Sequence, residues 1–510
     1  MPERLFCCPL PAPATCLTTT CLVSPVICRE SKDLLPLLQD YIYFYPVMKK
    51  LLFILMLAGT AGNASAQQPP NIIHIIADDL GYDDLSCFGS KHYRTPNIDK
   101  LAEEGTRLTN FYAPHGTCTP SRVAVMTGRI SPRINDKKGL GVLFPFSKEG
   151  LDPEKEIAFP RLLKNKGYAT ALLGKWHIGH LQQYLPPQHG FDYFLGIPFP
   201  NDHGPERLGN TNSYGLDSIP LMKNNDVARR LGNNDLAELP SLFVRETCMY
   251  MAQCVKEKKP FYIQYANIET HTPWFIPKGF EGRSRYGAYG DAVEYLDMSV
   301  GIIMGYLRKL GIENNTIIVF HADNGPLVHP YPELELCYGR YAAVDTTLRH
   351  LLREGKYQER FEGGPRVAAI VKWTGHIPAG TEHPQLLSGA DLFTTFLGLA
   401  GAEVPRDRVI DGKDMLPLLR SGDAGQSVRN TFFSFGPRGL LQAVRYNQWK
   451  LVFAKANQLL LFNLDADISE QRNIADQHPQ IVQQLAALGQ KAKKAVADDK
   501  ALPENNRLAF

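Results

Sequence analysis

Four short runs of the chain are mostly apolar, and their few polar residues do not form a polar face. They are Asn71–Ala77, Ala169–Leu173, Phe261–Asn267 and Thr316–Ala322. Short runs of this kind, rich in β-branched residues, are typical of strands that are buried on both sides of a sheet. Between them, Ile157–Lys166 and Asp291–Leu310 carry apolar residues at helical spacing. Buried strands that alternate with helices predict an α/β fold, with a largely parallel central sheet and helices on both of its faces.

The pattern changes after about Gly401. Short strand-like runs then follow one another closely, at Thr431–Phe435, Leu441–Arg445, Trp449–Phe453 and Leu459–Leu464. An amphipathic helix follows over about Pro479–Val496, so the end of the chain is predicted to form a small antiparallel sheet with a helix. Upstream, Asn201–Asn234 is rich in Gly, Asn and Asp, and it predicts a long irregular loop of the kind that often carries substrate contacts.

The N-terminal region contains the pattern of a secretory signal peptide. It has a basic start at Met48–Lys50, an apolar run at Leu51–Ala58 and an Ala-x-Ala site at Ala64–Ala66. We expect a signal peptide over Met48–Ala66, with cleavage before Gln67. Because a signal peptide acts at the start of a chain, residues 1–47 are interpreted as a spurious upstream extension.

A membrane anchor over residues 41–58 is the alternative interpretation. A proline and two lysines interrupt that stretch, whereas a membrane span needs about 20 apolar residues. We therefore expect a secreted or periplasmic protein with no stable membrane anchor. The remaining chain is predicted to divide into a large domain over residues 67–410 and a C-terminal subdomain over residues 411–510.

Composition narrows the class of protein. Hydrophobic residues make up 44% and charged residues 21% of the 510 residues, which is close to the globular average and excludes extensive disorder. The 55 Lys and Arg against 52 Asp and Glu give a net charge of +3, so charge indicates no nucleic-acid partner. Ten cysteines are too few for a disulfide-dense scaffold. Outside the N-terminal region and Cys118, free buried thiols are expected at Cys87, Cys248, Cys254 and Cys337.

Acidic and polar residues stand at the ends of two predicted strands. Asp78 and Asp79 follow the run that ends at Ala77, and Asp323 and Asn324 follow the run that ends at Ala322. In open parallel sheets, ligands bind beyond the carboxyl ends of the strands. Four oxygen-bearing side chains there suit a hard divalent cation, Ca²⁺ or Mg²⁺. The alternative is that both dipeptides only cap helices and form turns.

The segment Cys118–Arg122 reads Cys-Thr-Pro-Ser-Arg and precedes a predicted helix. Ser121 can cap that helix, which would place Cys118 just ahead of a helix N-terminus, where developing negative charge is favoured. On chemistry alone, Cys118 is either an activated thiol or a structural one.

With Thr127–Arg129, the same segment resembles the C-x-P-S-R and T-G-R signature of type I, formylglycine-dependent sulfatases of the alkaline-phosphatase-like superfamily. Further similar motifs follow in family order at Asp78-Asp79, Gly174–Gly179, His271–Pro273, Asp323–Pro326 and Glu362–Gly364. Leu185–Pro198 looks like the arylsulfatase A and N-acetylgalactosamine-6-sulfatase branch, and Leu461–His478 resembles the family's C-terminal subdomain.

The resemblance implies a sulfatase catalytic domain that hydrolyses the sulfate ester of a carbohydrate or an aryl alcohol. A maturation enzyme would oxidise Cys118 to formylglycine. One oxygen of the formylglycine hydrate would attack sulfur, and the other would later expel sulfate. The alternatives are a phosphodiesterase or phosphonate monoester hydrolase of the same superfamily, and a non-catalytic glycan-binding protein in which Cys118 stays unmodified.

The resemblance also implies roles for individual residues. The cation, Ca²⁺ with Mg²⁺ as the alternative, would bind Asp78, Asp79, Asp323, Asn324 and residue 118. Arg122 would steady the hydrate. Lys175 would contact sulfate, His177 would bind the formylglycine hydroxyl and act as base, and His271 would contact the ester and act as acid.

Two positions depart from the family pattern. Gly355-Lys356 precedes Glu362 with one residue more than the family spacing. We assign Lys356 as the second sulfate-binding lysine, with Arg353 and Arg360 as alternatives. Pro200 stands where the branch carries a serine, so the exact substrate of the branch is not carried over. Nearby, His203 is either a substrate contact or a solvated loop residue.

Overall fold

The structure is a computed structural model that describes residues 69–204, 216–328, 350–422, 427–454, 458–503 and 508. The strands are β1 (Asn71–Ala77), β2 (Thr106–Leu108), β3 (Phe111–Tyr112), β4 (Ala169–Lys175), β5 (Tyr193–Ile197), β6 (Ile219–Lys223), β7 (Asp226–Leu231), β8 (Phe261–Ala266), β9 (Thr316–Ala322), β10 (Ala369–Lys372), β11 (Thr381–His383), β12 (Leu387–Ser388), β13 (Thr431–Phe435), β14 (Leu441–Tyr446), β15 (Trp449–Phe453) and β16 (Leu459–Asn463). The helices of six or more residues are α1 (Pro96–Glu103), α2 (Cys118–Thr127), α3 (Phe159–Lys164), α4 (Leu239–Glu257), α5 (Gly287–Lys309), α6 (Asp391–Leu399), α7 (Leu416–Ser421) and α8 (Pro479–Ala497). The predicted signal peptide, the upstream extension and Cys337 lie outside the described residues.

Ten strands form the central sheet, in the order β11-β2-β10-β9-β1-β8-β4-β5-β6-β7. The four strands predicted from apolar runs are neighbours at its centre, where β9, β1, β8, β4 and also β5 run parallel. Antiparallel pairs occur nearer both edges, at β9–β10, β10–β2, β5–β6 and β6–β7. The prediction of a largely parallel central sheet is therefore confirmed.

Helices cover both faces of this sheet, as predicted. Tyr262 in β8 packs against Phe159 of α3 and Phe396 of α6. Tyr265, three residues further along the same strand, interacts on the opposite face with Ser299 of α5. Because side chains alternate along a strand, these contacts fix which helices lie on which face. No helix among the described residues is long and apolar enough to cross a membrane.

The predicted irregular loop at residues 201–234 is wrong in part. Strands β6 and β7 form a hairpin there, and it extends the central sheet beyond β5. Five of the six β7 residues are exposed. A strand that exposes nearly all of its side chains shows no apolar alternation, so the usual sequence signal was missing.

The C-terminal strands form a separate sheet in the order β13-β14-β15-β16, all antiparallel. Helix α8 covers it, and a small apolar core results from Phe433, Val444, Leu451, Leu461, Leu485 and Leu488. The predicted small antiparallel sheet with a helix is confirmed. Its treatment as a subdomain that begins at residue 411 stays a prediction.

A buried network of charges, named the Glu362 cluster here, links the segment before β10 to this small sheet. Its members are Tyr112, Glu362, Arg366, Arg445, Lys450 and Glu470. Glu362 Oε1 accepts from Lys450 Nζ at 2.8 Å, and Oε2 accepts from the Tyr112 hydroxyl. The backbone N–H of Glu362 donates to Glu470 at 2.6 Å. Burial alone would raise the pKa of Glu362, but Lys450 and the two arginines outweigh it and lower that pKa to about 2.

Candidate active site

Polar residues converge at the carboxyl ends of the four central strands. Asp78 and Asp79 directly follow β1, Asp323 follows β9, and Lys175 is the last residue of β4. We name the whole group the strand-end cluster. Its members are Asp78, Asp79, Cys118, Arg122, Lys175, His177, His271, Asp323, Asn324 and Lys356, and none is more than 8% exposed. The sequence-predicted site residues are thus all placed in one buried region.

Four ion pairs between arginine or lysine and aspartate hold the strand-end cluster together, and the longest joins Arg122 to Asp78 Oδ1 at 3.6 Å. Lys175 Nζ lies 2.5 Å from Asp78 Oδ2, and Lys356 Nζ lies 2.6 Å from Asp79 Oδ2. Arg122 donates from Nε to Asp323 Oδ2 at 2.8 Å, and from a second nitrogen to the carbonyl of Lys175 at 2.9 Å. Each residue expected to bind an anion therefore pairs with a carboxylate expected to bind a cation.

Cys118 is the first residue of α2, preceded by the extended residue Thr117. The expectation that Ser121 caps this helix is wrong, because the helix already begins three residues earlier. Arg122 follows one turn after Cys118, so both project from the N-terminal turns of α2. The Cys118 Sγ lies 3.9 Å from Asp79 Oδ1. Burial raises the pKa of the Cys118 thiol to about 12, which leaves it protonated rather than activated.

The two histidines are held in different ways. His177 has a left-handed backbone (φ 62°), and its Nε2 bonds the carbonyl of Leu143 at 2.9 Å. Its Nδ1 is buried without a hydrogen-bond partner among the described residues. His271 donates from Nδ1 to the carbonyl of Thr272 at 2.6 Å, so its Nε2 accepts from Lys356 Nζ at 3.1 Å. Burial lowers the pKa of both rings, which keeps them neutral at pH 7.

The donor set of the strand-end cluster fits a hard divalent cation. Asp78 Oδ1 and Asn324 Oδ1 are buried and lack a hydrogen-bond partner among the described residues. Unpaired buried oxygens are costly unless a ligand satisfies them. Asp78, Asp79, Cys118 and His271 each also offer a ligand atom within 4.8 Å of the others. Oxygen atoms predominate, which favours Ca²⁺ or Mg²⁺.

The geometry and the predicted ligand set differ at Asp323. Both of its oxygens are engaged, one with Arg122 and the other as acceptor from the backbone N–H of Asp79 at 3.2 Å. Burial, together with the negative charge of Asp78, raises the pKa of Asp323 to about 7. Burial acts the same way on Asp78, but Lys175 and the neighbouring cations outweigh it and hold the pKa of Asp78 well below its usual range. A cation at this point would relieve the repulsion between the carboxylates.

The second sulfate-binding lysine was assigned from the sequence with two arginines as alternatives, and the structure distinguishes the three positions. Lys356 extends into the strand-end cluster, whereas the two alternatives point elsewhere. Arg353 lies over the Phe361 ring at 3.9 Å, and Arg360 donates to Gln442 at 2.7 Å. His203 is 3% exposed and packs against Phe144, Phe199 and His177, so its interpretation as a solvated loop residue is wrong.

Sequence reasoning missed several residues around the strand-end cluster. Thr270 donates to the carbonyl of Asp78 at 2.5 Å, and Thr119 donates to the carbonyl of His177 at 2.8 Å. Thr119 lies inside the Cys118–Arg122 motif, which was the available signal. The structure places Cys248 and Cys254 in α4 as free buried thiols, and Cys87 is free but only half-buried.

The strand-end cluster lies where open α/β sheets bind their ligands, and its buried cations suit an anionic ligand. The family model described as Sulfatase matches residues 70–402, and the N-sulphoglucosamine sulphohydrolase C-terminal model matches residues 355–496. The chain belongs to the sulfatase family, and it is a sulfuric ester hydrolase.

Individual relatives agree with this assignment. The chain is 39% identical to arylsulfatase A of Bos taurus over 423 residues, covering 79% of this chain and 78% of that protein. It is 36% identical to N-acetylgalactosamine-6-sulfatase of Sus scrofa over 417 residues, covering 79% of this chain and 75% of that protein.

Solved structures show the same fold. PsFucS1 sulfatase from Pseudoalteromonas sp. has a TM-score of 0.74 at 27% identity, over 87% of this chain and 93% of that chain. Ps i-CgsB in complex with k-i-k-neocarrahexaose has a TM-score of 0.70 at 29% identity, over 86% of this chain and 94% of that chain.

Proposed function

We propose that this protein is a secreted sulfatase that acts on sulfated carbohydrates, with Cys118 as the residue converted to formylglycine. The observation that carries the proposal is the convergence of Cys118, two lysines, Arg122 and two histidines on three carboxylates in one buried region. Support for a carbohydrate comes from the names of N-acetylgalactosamine-6-sulfatase and of Ps i-CgsB in complex with k-i-k-neocarrahexaose, whereas the name arylsulfatase A keeps an aryl sulfate as the alternative. Secretion rests on the signal-peptide pattern of Met48–Ala66.

Lys175 and Lys356 are the residues that bind the sulfate group. Both ammonium groups are buried, and in the protein alone each is neutralised by a carboxylate. A sulfate ester offers them negatively charged oxygens as alternative partners. Prearranged cations in a site that excludes water stabilise charge more strongly than in solution, and we expect this to be the largest contribution to the rate.

Residue 118 supplies the nucleophile only after modification, because the buried thiol of Cys118 is protonated. A formylglycine hydrate supplies two hydroxyl oxygens, one for attack at sulfur and one for release of sulfate. Arg122 orients this position from one turn along α2 through its bonds to Asp323 and to the Lys175 carbonyl. The unpartnered Nδ1 of neutral His177 is the atom that accepts the proton of the attacking hydroxyl.

His271 and Lys356 act on the leaving alcohol. Their Nε2 and Nζ atoms are 3.1 Å apart, and the proton between them lies on the lysine side in the resting protein. The alkoxide that develops as the ester bond breaks takes a proton from this pair. Ca²⁺ or Mg²⁺ would be held by Asp78, Asp79, Asn324 and residue 118. Asp323, which bonds to Arg122 and to the backbone N–H of Asp79, would support this set. The bound cation would lower the pKa of the nucleophile and polarise a sulfate oxygen.

The decisive experiment is the mass of the peptide that contains residue 118, taken from protein secreted by the native host. Conversion to formylglycine exchanges the sulfur and two hydrogens for one aldehyde oxygen, so it predicts that mass difference. It also predicts hydrolysis of 4-nitrophenyl sulfate in preference to a 4-nitrophenyl phosphodiester. An unmodified cysteine in active protein would refute the proposal, and so would a preference for the phosphodiester. Any peptide from residues 1–47 in that sample would refute the assignment of the upstream extension.

A further inference from the structure

A cavity of about 380 Å³ adjoins the strand-end cluster on the side of Cys118. Thr117 and Pro120, on either side of Cys118, both line it, and so does Tyr357, the neighbour of Lys356. The backbone N–H of Tyr357 donates to the carbonyl of Gly116 at 2.9 Å, which ties the two segments together. The cavity is therefore lined by chain neighbours of Cys118 and of Lys356.

Tyr357 differs from the buried residues around it. It is 44% exposed, although it follows Lys356, which is only 8% exposed. Its backbone has a left-handed conformation (φ 71°). For a bulky residue that conformation is unfavourable and persists only where the surroundings hold it. Here the bonds from Lys356 N–H to the Pro326 carbonyl at 2.8 Å and from Tyr357 N–H to Gly116 hold it.

This backbone sends two consecutive side chains to different places. The Lys356 ammonium reaches Asp79, while the Tyr357 ring stays at the cavity, 5.5 Å from that ammonium to the ring centroid. In a sulfate ester, a single oxygen joins the sulfate to the alcohol. The ring of a sugar whose sulfate contacts Lys356 is therefore within reach of Tyr357.

The same cavity contains a buried polar pair. His115 Nδ1 lies 3.2 Å from Glu359 Oε1 and 2.9 Å from the hydroxyl of Thr117. His115 and Glu359 are 7% and 5% exposed, and both line the cavity. The face of the Tyr357 ring lies at the same cavity as this buried imidazole and carboxylate. Such a site suits a molecule that has an apolar face and hydroxyl groups around its edge. A plain aryl group would offer this polar pair no hydroxyl to bond.

We infer that the sugar ring of the substrate packs against Tyr357 while its hydroxyl groups bond to the His115–Glu359 pair, which makes these residues determinants of specificity. This inference rests on the proposed function, because it takes the sulfate to lie at Lys175 and Lys356. A rigid aromatic ring provides contact area at a small cost in conformational entropy. Selection by a buried hydrogen-bonding pair discriminates strongly against ligands that lack the hydroxyl.

The test compares two substrate classes. The probes are 4-nitrophenyl sulfate and a panel of O-sulfated saccharides that includes N-acetylgalactosamine 6-sulfate and sulfated neocarrahexaose. Tyr357→Ala and Glu359→Gln should each lower kcat/KM for the saccharides about tenfold or more, with a smaller loss for the aryl sulfate. Tyr357→Phe should restore the saccharide activity to within about threefold, because it keeps the ring. The control is Tyr306→Ala, a half-buried tyrosine on α5, which should change neither activity.

A binding measurement separates this inference from the proposed function. Cys118→Ala protein, which lacks the nucleophile, is titrated with the same saccharides by calorimetry, with and without Tyr357→Ala. Weaker binding with Tyr357→Ala supports the inference even if the wild-type protein hydrolyses no sulfate, in which case only the proposed function fails. Equal losses on both substrate classes would overturn the inference. So would saccharide binding that is unaffected by Tyr357→Ala, or wild-type protein that hydrolyses the aryl sulfate but binds no saccharide of the panel.

Discussion

The molecule contains two buried networks of charge, and they differ in how completely their atoms are paired. In the Glu362 cluster, both oxygens of Glu362 accept hydrogen bonds. Glu470 Oε1 makes no hydrogen bond among the described residues, but it lies 2.9 Å from the Lys450 ammonium. In the strand-end cluster, Asn324 Oδ1 is buried and lacks a hydrogen-bond partner among the described residues. Asp78 Oδ1 also lacks a hydrogen bond there and lies 3.6 Å from the Arg122 guanidinium. Both networks are shielded from water, so the difference lies in pairing rather than in exposure.

Pairing separates a structural network from a binding site. A buried ion network whose groups are satisfied resists the loss of any one member, because the remaining charges would stay buried and uncompensated. A network with unpaired acceptors instead retains capacity for a ligand. The motif Glu362–Gly364, which resembles the family, thus belongs to the first kind of network, whereas Asp78-Asp79 and Asp323-Asn324 belong to the second.

The largest expected effect is a loss of activity on substitution of Cys118, with little change in stability. Cys118→Ala should lower kcat for sulfate-ester hydrolysis by about 10⁴-fold or more, because it removes the only atom from which the nucleophile is made. The free energy of unfolding should change by no more than about 1 kcal/mol, since the change removes one small atom whose hydrogen bond to Asp79 is long, at 3.9 Å. Activity assays and urea unfolding of the same preparation check both parts. Appreciable activity in the variant would show that residue 118 is not the nucleophile.

The second effect is expected in the Glu362 cluster. Glu362→Gln should lower the free energy of unfolding by about 3–5 kcal/mol, because Lys450, Arg445 and Arg366 would remain buried with too little negative charge. The matched control is Glu382→Gln. Glu382 pairs with Arg107 at the surface and is half-exposed, so this change should cost less than about 1 kcal/mol. Similar losses in the two variants would remove the distinction drawn between a buried network and a surface pair.

Some of this organisation could be read from the sequence, for physical reasons that differ by element. Strands β1 and β9 were predicted to the residue because a run that is buried on both faces is mostly apolar and shows no polar alternation. Asp78 and Asp323 were recognisable because ligands gather at strand ends. The Glu362 cluster was not predicted, since Tyr112 and Lys450 are far apart in sequence and meet only through tertiary packing. The burial of His203 was missed because Phe144 and His177, which pack against it, are distant from it in sequence.

The third prediction concerns pH and the second carboxyl group of the Glu362 cluster. Burial raises the pKa of Glu470 from 4.5 to about 7, with Lys450 opposing the shift. The folded protein therefore holds this proton more tightly than the unfolded chain. The stabilising contribution is complete below pH 4.5 and is lost as pH rises towards 7. It amounts to about 3 kcal/mol at most.

Glu470→Gln removes this titration because glutamine carries no ionisable proton. The free energy of unfolding of the wild type, relative to the variant, should fall between pH 4.5 and 7, as followed by urea unfolding at several pH values. Glu362 has the opposite sign, because its lowered pKa makes its contribution disappear as the pH falls below 4.5. A relative stability that rises with pH across this range would contradict the assignment of a protonated Glu470.

The smallest expected change in stability is at Asp323. It tests whether the strand-end cluster, unlike the Glu362 cluster, tolerates the loss of a carboxylate. In protein treated with chelator, Asp323→Asn should alter the free energy of unfolding at pH 7 by about 1 kcal/mol or less. The carboxyl group there is already partly protonated, since burial and Asp78 raise its pKa to about 7. The amide oxygen of asparagine can still accept from Arg122 Nε.

Adding Ca²⁺ should then stabilise the wild type, by about 2.7 kcal/mol at a hundredfold excess over Kd, and the variant less. A loss as large as that of Glu362→Gln would mean that the strand-end cluster is also a structural network, and equal stabilisation of both proteins by Ca²⁺ would exclude Asp323 from the cation site.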